Sequence, residues 1–416
     1  MVANSLRILI INIIGLGFTA AGIAAQSLVP DDVLLFRKRA ISDTLPQGIR
    51  LGGLMVSPGI EVSSTYDDNI FRTTTGEKSD LITSVKPAIG IQSNWDRHAL
   101  FFGAEGEFGF YKNYTSENFE DYGVMLSGQY DITDDTYVIL ALSQANRHIG
   151  RGSLLDPNAS TPTEYEVTRQ QFRFVRELGV LQVELDGQNE DVRLSDVTAS
   201  GVPNSSLAER DNQKIGGQIK FEYMPGNSLF ARYTYANTDY ALSGGASRNA
   251  QGYDIKSGME IDLNRGIKAS LFGTYINRQY ETESPDTSRI YPGATLSYDI
   301  TKLTTLTGLL ETDFNETTVS GVAGVLRTQR RLGLAQQFTE LLRAEIYTGL
   351  NDYNYVGGTG SINRETDLKF AGVTTQYKAT EHLGIKATYD WQERSSPIAS
   401  DEYRDNRASL SLIYMY

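Results

Sequence analysis

The chain has 416 residues, a formal net charge of −13 and a pI near 4.9. This acidic balance argues against a nucleic-acid partner, because no surplus of basic side chains is available to neutralise phosphates. Cys is absent, which excludes a disulfide framework, thiolate metal sites and a Cys nucleophile. The 39 Gly and 24 Tyr beside only 11 Pro favour many β-strands over a long disordered chain.

The amino end has the pattern of a secretory signal peptide, predicted over residues 1–25. Arg7 precedes the apolar run ILIINIIGLGFTAAGIAA (8–25), and small residues precede a cleavage site near Ala24 or Ala25. An uncleaved membrane helix is the alternative. Residues 26–52 are predicted to be a periplasmic leader or arm, with a partial plug and a disordered leader as alternatives. No later apolar stretch has the length of a membrane helix, so a membrane location would require strands.

From residue 53 to 416, apolar and polar side chains alternate with a period of two. This period is typical of β-strands that have one apolar face, and it differs from the 3.6-residue period of a helix. The alternation is clearest in the segments 100–110, 122–132, 253–263 and 383–392.

Short and long connections alternate between these segments. Short polar turns are predicted at 94–98, 133–136, 176–179, 225–227, 264–266, 301–303, 339–341 and 380–382, with longer Gly-, Ser- and Asn-rich stretches between them. A soluble sandwich would have shorter strands and no reason for this alternation. The pattern predicts an all-β fold, a transmembrane antiparallel β-barrel of about eighteen strands with short periplasmic turns and long extracellular loops. Sixteen strands remain an alternative.

The chain ends on RASLSLIYMY (407–416), in which alternate residues are apolar. The side chains of Leu410, Leu412, Tyr414 and Tyr416 are predicted to contact lipid on a closing strand that pairs with the first strand. This ending resembles the signal that the barrel-assembly machinery recognises in bacterial outer-membrane proteins. A buried edge strand of a soluble protein is the alternative interpretation.

The cost of charge in lipid predicts which side chains face the interior. Arg or Lys on the lipid side at mid-membrane costs about 2–4 kcal/mol. The predicted lumen-lining residues are therefore Lys86, Glu105, Glu107, Arg169, Arg173, Glu184, Asp186, Lys214, Lys220, Glu222, Arg232, Asp254, Lys256, Glu260, Arg343, Glu345, Lys369, Lys386, Asp390 and Arg407. Arg330 and Arg331 would fall on opposite faces, so a rim position or a β-bulge is predicted there.

Residues 45–71, LPQGIRLGGLMVSPGIEVSSTYDDNIF, resemble the start of the putative β-barrel porin 2 family, and residues 78–100 resemble its second hairpin. Members often belong to exopolysaccharide gene clusters, so the resemblance implies a role in polysaccharide export or surface display. It also implies polysaccharide and export machinery as partners, beside outer-membrane lipid and lipopolysaccharide. The family has no catalytic residues to carry over.

Few residues indicate other chemistry. His98, His148 and His382 are too dispersed to share one metal ion, and no cofactor is predicted. A divalent cation at TYDDN (65–69) is an alternative to a simple strand end. A hydrolase with His148 beside the loop of Asp156 is the competing enzyme hypothesis. The prediction is an integral pore of the outer membrane of a Gram-negative bacterium, with a general small-solute porin or a purely structural barrel as alternatives.

Overall fold

The computed structural model describes residues 48–153, 156, 160–194, 209–241, 249–263, 266–281, 287–315, 322, 324–356 and 365–416. The predicted signal peptide and residues 26–47 of the predicted leader lie outside these residues. Two short 3₁₀ helices, Thr115–Glu117 and Ala399–Asp401, accompany the strands. No helix in the described part of the chain is long and apolar enough to cross a membrane.

The described residues form nineteen β-strands. In chain order these are β1 (Ile49–Leu51), β2 (Leu54–Asp67), β3 (Asp80–Ser93), β4 (Ala99–Tyr111), β5 (Phe119–Thr133), β6 (Thr136–Ile149), β7 (Thr163–Leu178), β8 (Leu181–Leu194), β9 (Arg210–Met224), β10 (Asn227–Tyr240), β11 (Ala250–Asp262), β12 (Ile267–Tyr280), β13 (Thr287–Thr301), β14 (Thr304–Asn315), β15 (Gly324–Gln337), β16 (Leu342–Val356), β17 (Glu365–Lys378), β18 (Leu383–Ser395) and β19 (Tyr403–Met415).

Eighteen of these strands close into one antiparallel barrel. Each strand from β2 to β18 pairs with the next, and β19 pairs back onto β2 with Leu410 opposite Ser64. Closure gives each of these eighteen strands two neighbours, so the barrel itself has no open edge. The predicted fold class, with its eighteen strands and its closing strand, is confirmed.

The short strand β1 extends this sheet at its seam. β19 pairs with β2 as far as Gly59, and β1 pairs with the start of β2, where Ile49 lies opposite Val56. Gly52 has a φ of +63°, which lets a two-residue turn reverse the chain between β1 and β2. Residues 49–51, predicted as part of the leader, therefore join the sheet.

Short and long connections alternate around the barrel, so it has a turn end and a loop end. The turn end carries two-residue connections such as 134–135, 179–180, 225–226 and 302–303, whereas the loop end carries longer ones such as 68–79 and 112–118. The turn predicted at 176–179 is displaced, because Arg176 and Glu177 pair with β8 and the chain turns at Gly179, with φ +63°.

The outer face of the wall carries the exposed apolar side chains. On β5, Tyr122 and Tyr130 are exposed on this face, and Leu126 lies midway between them. Leu126 pairs with Phe102 of β4 and Leu142 of β6, which are also exposed. On the opposite face of β5, Asp121 and Gly123 are buried, and most of the alternate residues that follow them are half-buried.

Two predictions about charged side chains are wrong. Arg330 and Arg331 lie at the middle of β15, which pairs there with both neighbours without a register shift, so the predicted rim position and the predicted bulge are both absent. Arg330 instead forms an ion pair with Asp352 on the outer face. Lys369, predicted to face the interior, is exposed and lies opposite outward-facing Leu350 and Glu393. A charge can occupy the outer face there because Lys369 is the fifth residue from the loop end of β17, where its long side chain can extend towards water.

Apolar side chains pack inside the barrel at its loop end. The buried cluster comprises Val322, Val325, Tyr353, Tyr355, Leu368 and Tyr403. Its members come from the connection before β15 and from β15, β16, β17 and β19. This sector of the loop end is therefore filled with packed side chains.

Candidate functional site in the barrel interior

Ion pairs on the concave face span intervening strands. Lys386 of β18 contacts Glu61 of β2 at 2.8 Å, with β19 between them. Arg232 of β10 contacts Asp186 of β8 at 2.6 Å, with β9 between them. Strands two apart are separated by about 9–10 Å, so such side chains meet because the curved wall brings them together on its concave side.

Most of the predicted lumen-lining residues take part in such contacts. Pairs that bridge one or more strands are Arg147 with Glu105, Arg232 with Glu184, Lys220 with Glu260, and Lys256 with Glu311. The Tyr347 hydroxyl donates to Asp390 across β17. Shorter-range pairs are Lys86 with Glu107, Arg169 with Glu190, Arg173 with Glu184, Arg278 with Asp254, Arg343 with Glu345, and Arg407 with Asp405. The concave face is thus a network of opposite charges.

Lys214 of β9 differs from these residues. It lies opposite Ala236 and Gln188, is exposed, and has no ion-pair partner in the part of the chain that the structure describes. An uncompensated cation beside a water-filled path favours anions. We expect Lys214→Gln to shift the permeability ratio towards cations, measured as the reversal potential in a KCl gradient. Lys369→Gln on the outer face is the matched control and should leave that potential unchanged.

Arg72 ties the loop after β2 to the closing strand at the loop end. Its guanidinium binds the carboxylates of Asp67 at 2.9 Å and Asp405 at 2.8 Å, and all three side chains are nearly inaccessible to solvent. Burial would lower the pKa of Arg72, but the two carboxylates outweigh burial and raise it. Asn69 is fully buried and donates to the carbonyls of Thr73 and Arg404.

The turn after β6 reaches across the interior to β18 and β19. Arg394 of β18 donates to the Gly152 carbonyl at 2.8 Å. Gly152 has a φ of +74°, and a Cβ there would lie 3.0 Å from Arg72 and 3.2 Å from Tyr403, so only glycine fits without displacement. Beside it, Arg151 forms a two-bond contact with the buried Glu117 carboxylate, with both bonds at 2.8 Å.

The segment TYDDN does not provide a free carboxylate site. Asp67, Asp68 and Asp405 lie close enough to share an ion. However, Arg72 already binds Asp67 and Asp405, and Asp68 accepts two hydrogen bonds from Asn406. Arginine therefore supplies the positive charge that a cation would bring.

The three histidines lie apart, as the sequence predicts. His98 and His382 are in short turns, where they contact the backbones of Asp131 and Met415. His148, at the loop end of β6, contacts Asp121 through Nδ1 at 3.0 Å. Asp156, the partner that the enzyme hypothesis requires, instead accepts a hydrogen bond from the Gly152 amide.

The sequence interpretation missed several interior residues, among them Glu61, Asp67, Arg72, Arg147 and Arg394. Glu61 could have been found by strict alternation, because the residues on either side of it are exposed and apolar. Arg147 could have been found in the same way, because it faces opposite to the exposed Leu142 of the same strand. Arg72 and Arg394 could not, because their partners depend on loop conformation and barrel closure.

Comparison with solved structures finds similar chains at low sequence identity. The siderophore receptor PirA from Acinetobacter baumannii has 9% identity and a TM-score of 0.49, covering 87% of this chain and 80% of its own. The outer membrane protein OpdK from Pseudomonas aeruginosa has 12% identity and a TM-score of 0.49, covering 87% and 99%.

The search of curated proteins found no match. In contrast, the family described as "Putative beta-barrel porin 2" matches residues 44–415. The chain therefore has a porin-like outer-membrane barrel fold and belongs to the putative β-barrel porin 2 family.

Proposed function

We propose that the protein is a passive pore of the Gram-negative outer membrane that passes hydrated, hydroxyl-rich solutes, with exopolysaccharide as the solute class. The observation that carries this proposal is the compensation of charge across the concave face. Lys386 with Glu61 and Arg232 with Asp186 are examples in which opposite charges meet across a strand. Such a wall offers hydrogen-bond donors and acceptors to a polar solute without a strong net field.

The outer face supports placement in lipid. Exposed apolar side chains around Leu126 lie between the exposed aromatic residues Tyr122 and Tyr130, as in the apolar band and girdles of membrane barrels. In this arrangement the turn end faces the periplasm and the loop end faces outward, beside lipopolysaccharide. A signal peptide over residues 1–25 would direct export.

The closing strand supports recognition by the barrel-assembly machinery. Leu410, Leu412, Tyr414 and Tyr416 are all exposed along one face of the chain end. Family membership supports a pore over an enzyme. The polysaccharide role rests on the family's association with exopolysaccharide gene clusters, and a general small-solute porin is the alternative function.

The pore proposal predicts conductance. Purified protein refolded in detergent and added to a planar bilayer should give discrete current steps, and liposomes that contain it should swell in neutral oligosaccharides. Because most of the wall charges are compensated, neutral sugars should permeate readily. The complete lack of both current and swelling would refute a pore.

A gene deletion separates polysaccharide export from general permeability. If the protein exports polysaccharide, the deletion strain should lose surface polysaccharide and retain polymer in the periplasm, and the intact gene should restore export. If it is a general porin, surface polysaccharide should stay normal while uptake of small sugars slows.

A further inference from the structure

Two sets of long charged side chains on opposite sides of the interior differ in exposure, and Arg169 of β7 and Lys256 of β11, at 16% and 19%, lie between the two sets. We define the covered wall by Glu61, Lys86, Lys386 and Arg407 on β2, β3, β18 and β19, whose side chains are between 3% and 14% exposed. We define the open wall by Arg173, Lys214, Lys220, Arg232 and Glu260 on β7 to β11. Lys214 is exposed, and the other four side chains are between 26% and 40% exposed.

Neither depth nor ion pairing explains this difference. Lys86 and Arg232 both lie near the middle of their strands, yet they are 3% and 26% exposed. Both also have carboxylate partners, Glu107 at 2.9 Å and Asp186 at 2.6 Å. The covered wall is therefore shielded from water by its surroundings, whereas water reaches the open wall.

At the loop end, a turn in the described part of the chain lies over the covered wall. The turn at Gly152 leaves β6 and bonds to Arg394 of β18, and the strands between these two in the closed sheet are β19, β2, β3, β4 and β5. Three of the four covered-wall strands lie in this sector. A solute that moves along the covered wall would meet this turn, and the Arg72 contacts beneath it, at the loop end.

We infer that hydrated solute crosses the barrel off-centre, along the open wall, and that Arg173, Lys214, Lys220, Arg232 and Glu260 are the charged groups that it touches. This inference deepens the proposed pore function and rests on it. The open wall carries both signs of charge, which suits a hydroxyl-rich solute that exchanges hydrogen bonds with successive ammonium, guanidinium and carboxylate groups. Lys214 is the group on this wall best placed to hold a carboxylate or phosphate substituent.

The absence of Cys allows a direct test with single introduced thiols. Gln188→Cys places a thiol on β8, on the same face of the strand as Asp186. Gln218→Cys places one on β9, on the same face as Lys220. Ser63→Cys and Ser411→Cys place one on β2 and β19, where the native side chains are 6% and 2% exposed. The full chain, folded in lipid vesicles, is treated with a small cationic methanethiosulfonate, and labelling is followed by mass.

Because thiol reactivity depends on access, the open-wall thiols should label about tenfold faster or more. The same variants unfolded in urea should label at equal rates, which controls for intrinsic reactivity. Modification of Q218C should also reduce the bilayer current, whereas treatment of S63C should not. Equal labelling of all four folded variants would overturn the off-centre path.

Labelling does not require ion flow. A protein that conducts no current, yet labels only on the open wall, would refute the pore function and leave the asymmetric interior intact. A protein that conducts current, yet labels equally on both walls, would support the pore function and refute the off-centre path.

Discussion

Replacing Arg72 by alanine should lower the free energy of unfolding by about 3–5 kcal/mol, because it leaves two buried carboxylates without their cation. Asp67 and Asp405 have side chains only 4% and 0% exposed, so water cannot replace the lost guanidinium. The loss should appear as a lower urea midpoint for protein folded in detergent or lipid. It should also appear on gels, where the folded protein should convert to the more slowly migrating unfolded form at a lower temperature.

Arg404→Ala is the matched control. Arg404 also forms an arginine–carboxylate pair on β19, with Glu393 at 2.7 Å, but it is strongly exposed and should be replaceable with little change. Because the pKa of Arg72 is raised above an already high value, its positive charge and the associated stability persist until far above neutral pH. An unchanged urea midpoint for R72A would mean that Arg72 does not stabilise the loop end.

Period-two alternation and connection lengths were sufficient to predict the closed barrel. The strand count followed because short turns such as 134–135 and 225–226 carry local turn chemistry that is visible in the sequence. The displaced turn at Gly179 shows the limit of this approach. Arg176 and Glu177 look like turn residues by composition, but pairing with Val183 and Gln182 keeps them in the strand.

The contacts of the interior were harder to predict because they depend on closure. Alternation assigns a face, but it does not state which residue of a distant strand lies opposite. Asp67 and Asp405 meet only because β19 closes onto β2, and Arg394 meets Gly152 only because a turn crosses the interior. Lys369 shows that a rule based on mid-membrane cost fails near the loop end of a strand, where a long charged side chain can extend towards water.

The outer face can be tested by placing charge at its centre. Leu126→Arg should destabilise the folded barrel in lipid by about 2–4 kcal/mol, because an arginine at the bilayer midplane must leave water. Leu126 is exposed on the outer face, midway between Tyr122 and Tyr130, and pairs with the exposed apolar residues Phe102 and Leu142. The measurement is a urea titration of protein folded into vesicles, followed by tryptophan fluorescence.

Leu303→Arg supplies the matched control for depth. Leu303 is an equally apolar, exposed leucine, but it lies in the two-residue connection between β13 and β14 at the turn end. There the new guanidinium stays in water, so the stability of the barrel should hardly change. Equal losses for the two variants would mean that the band around Leu126 does not contact hydrocarbon. A large loss for L126R alone would support contact between that band and hydrocarbon, because the arginine of L303R stays in water.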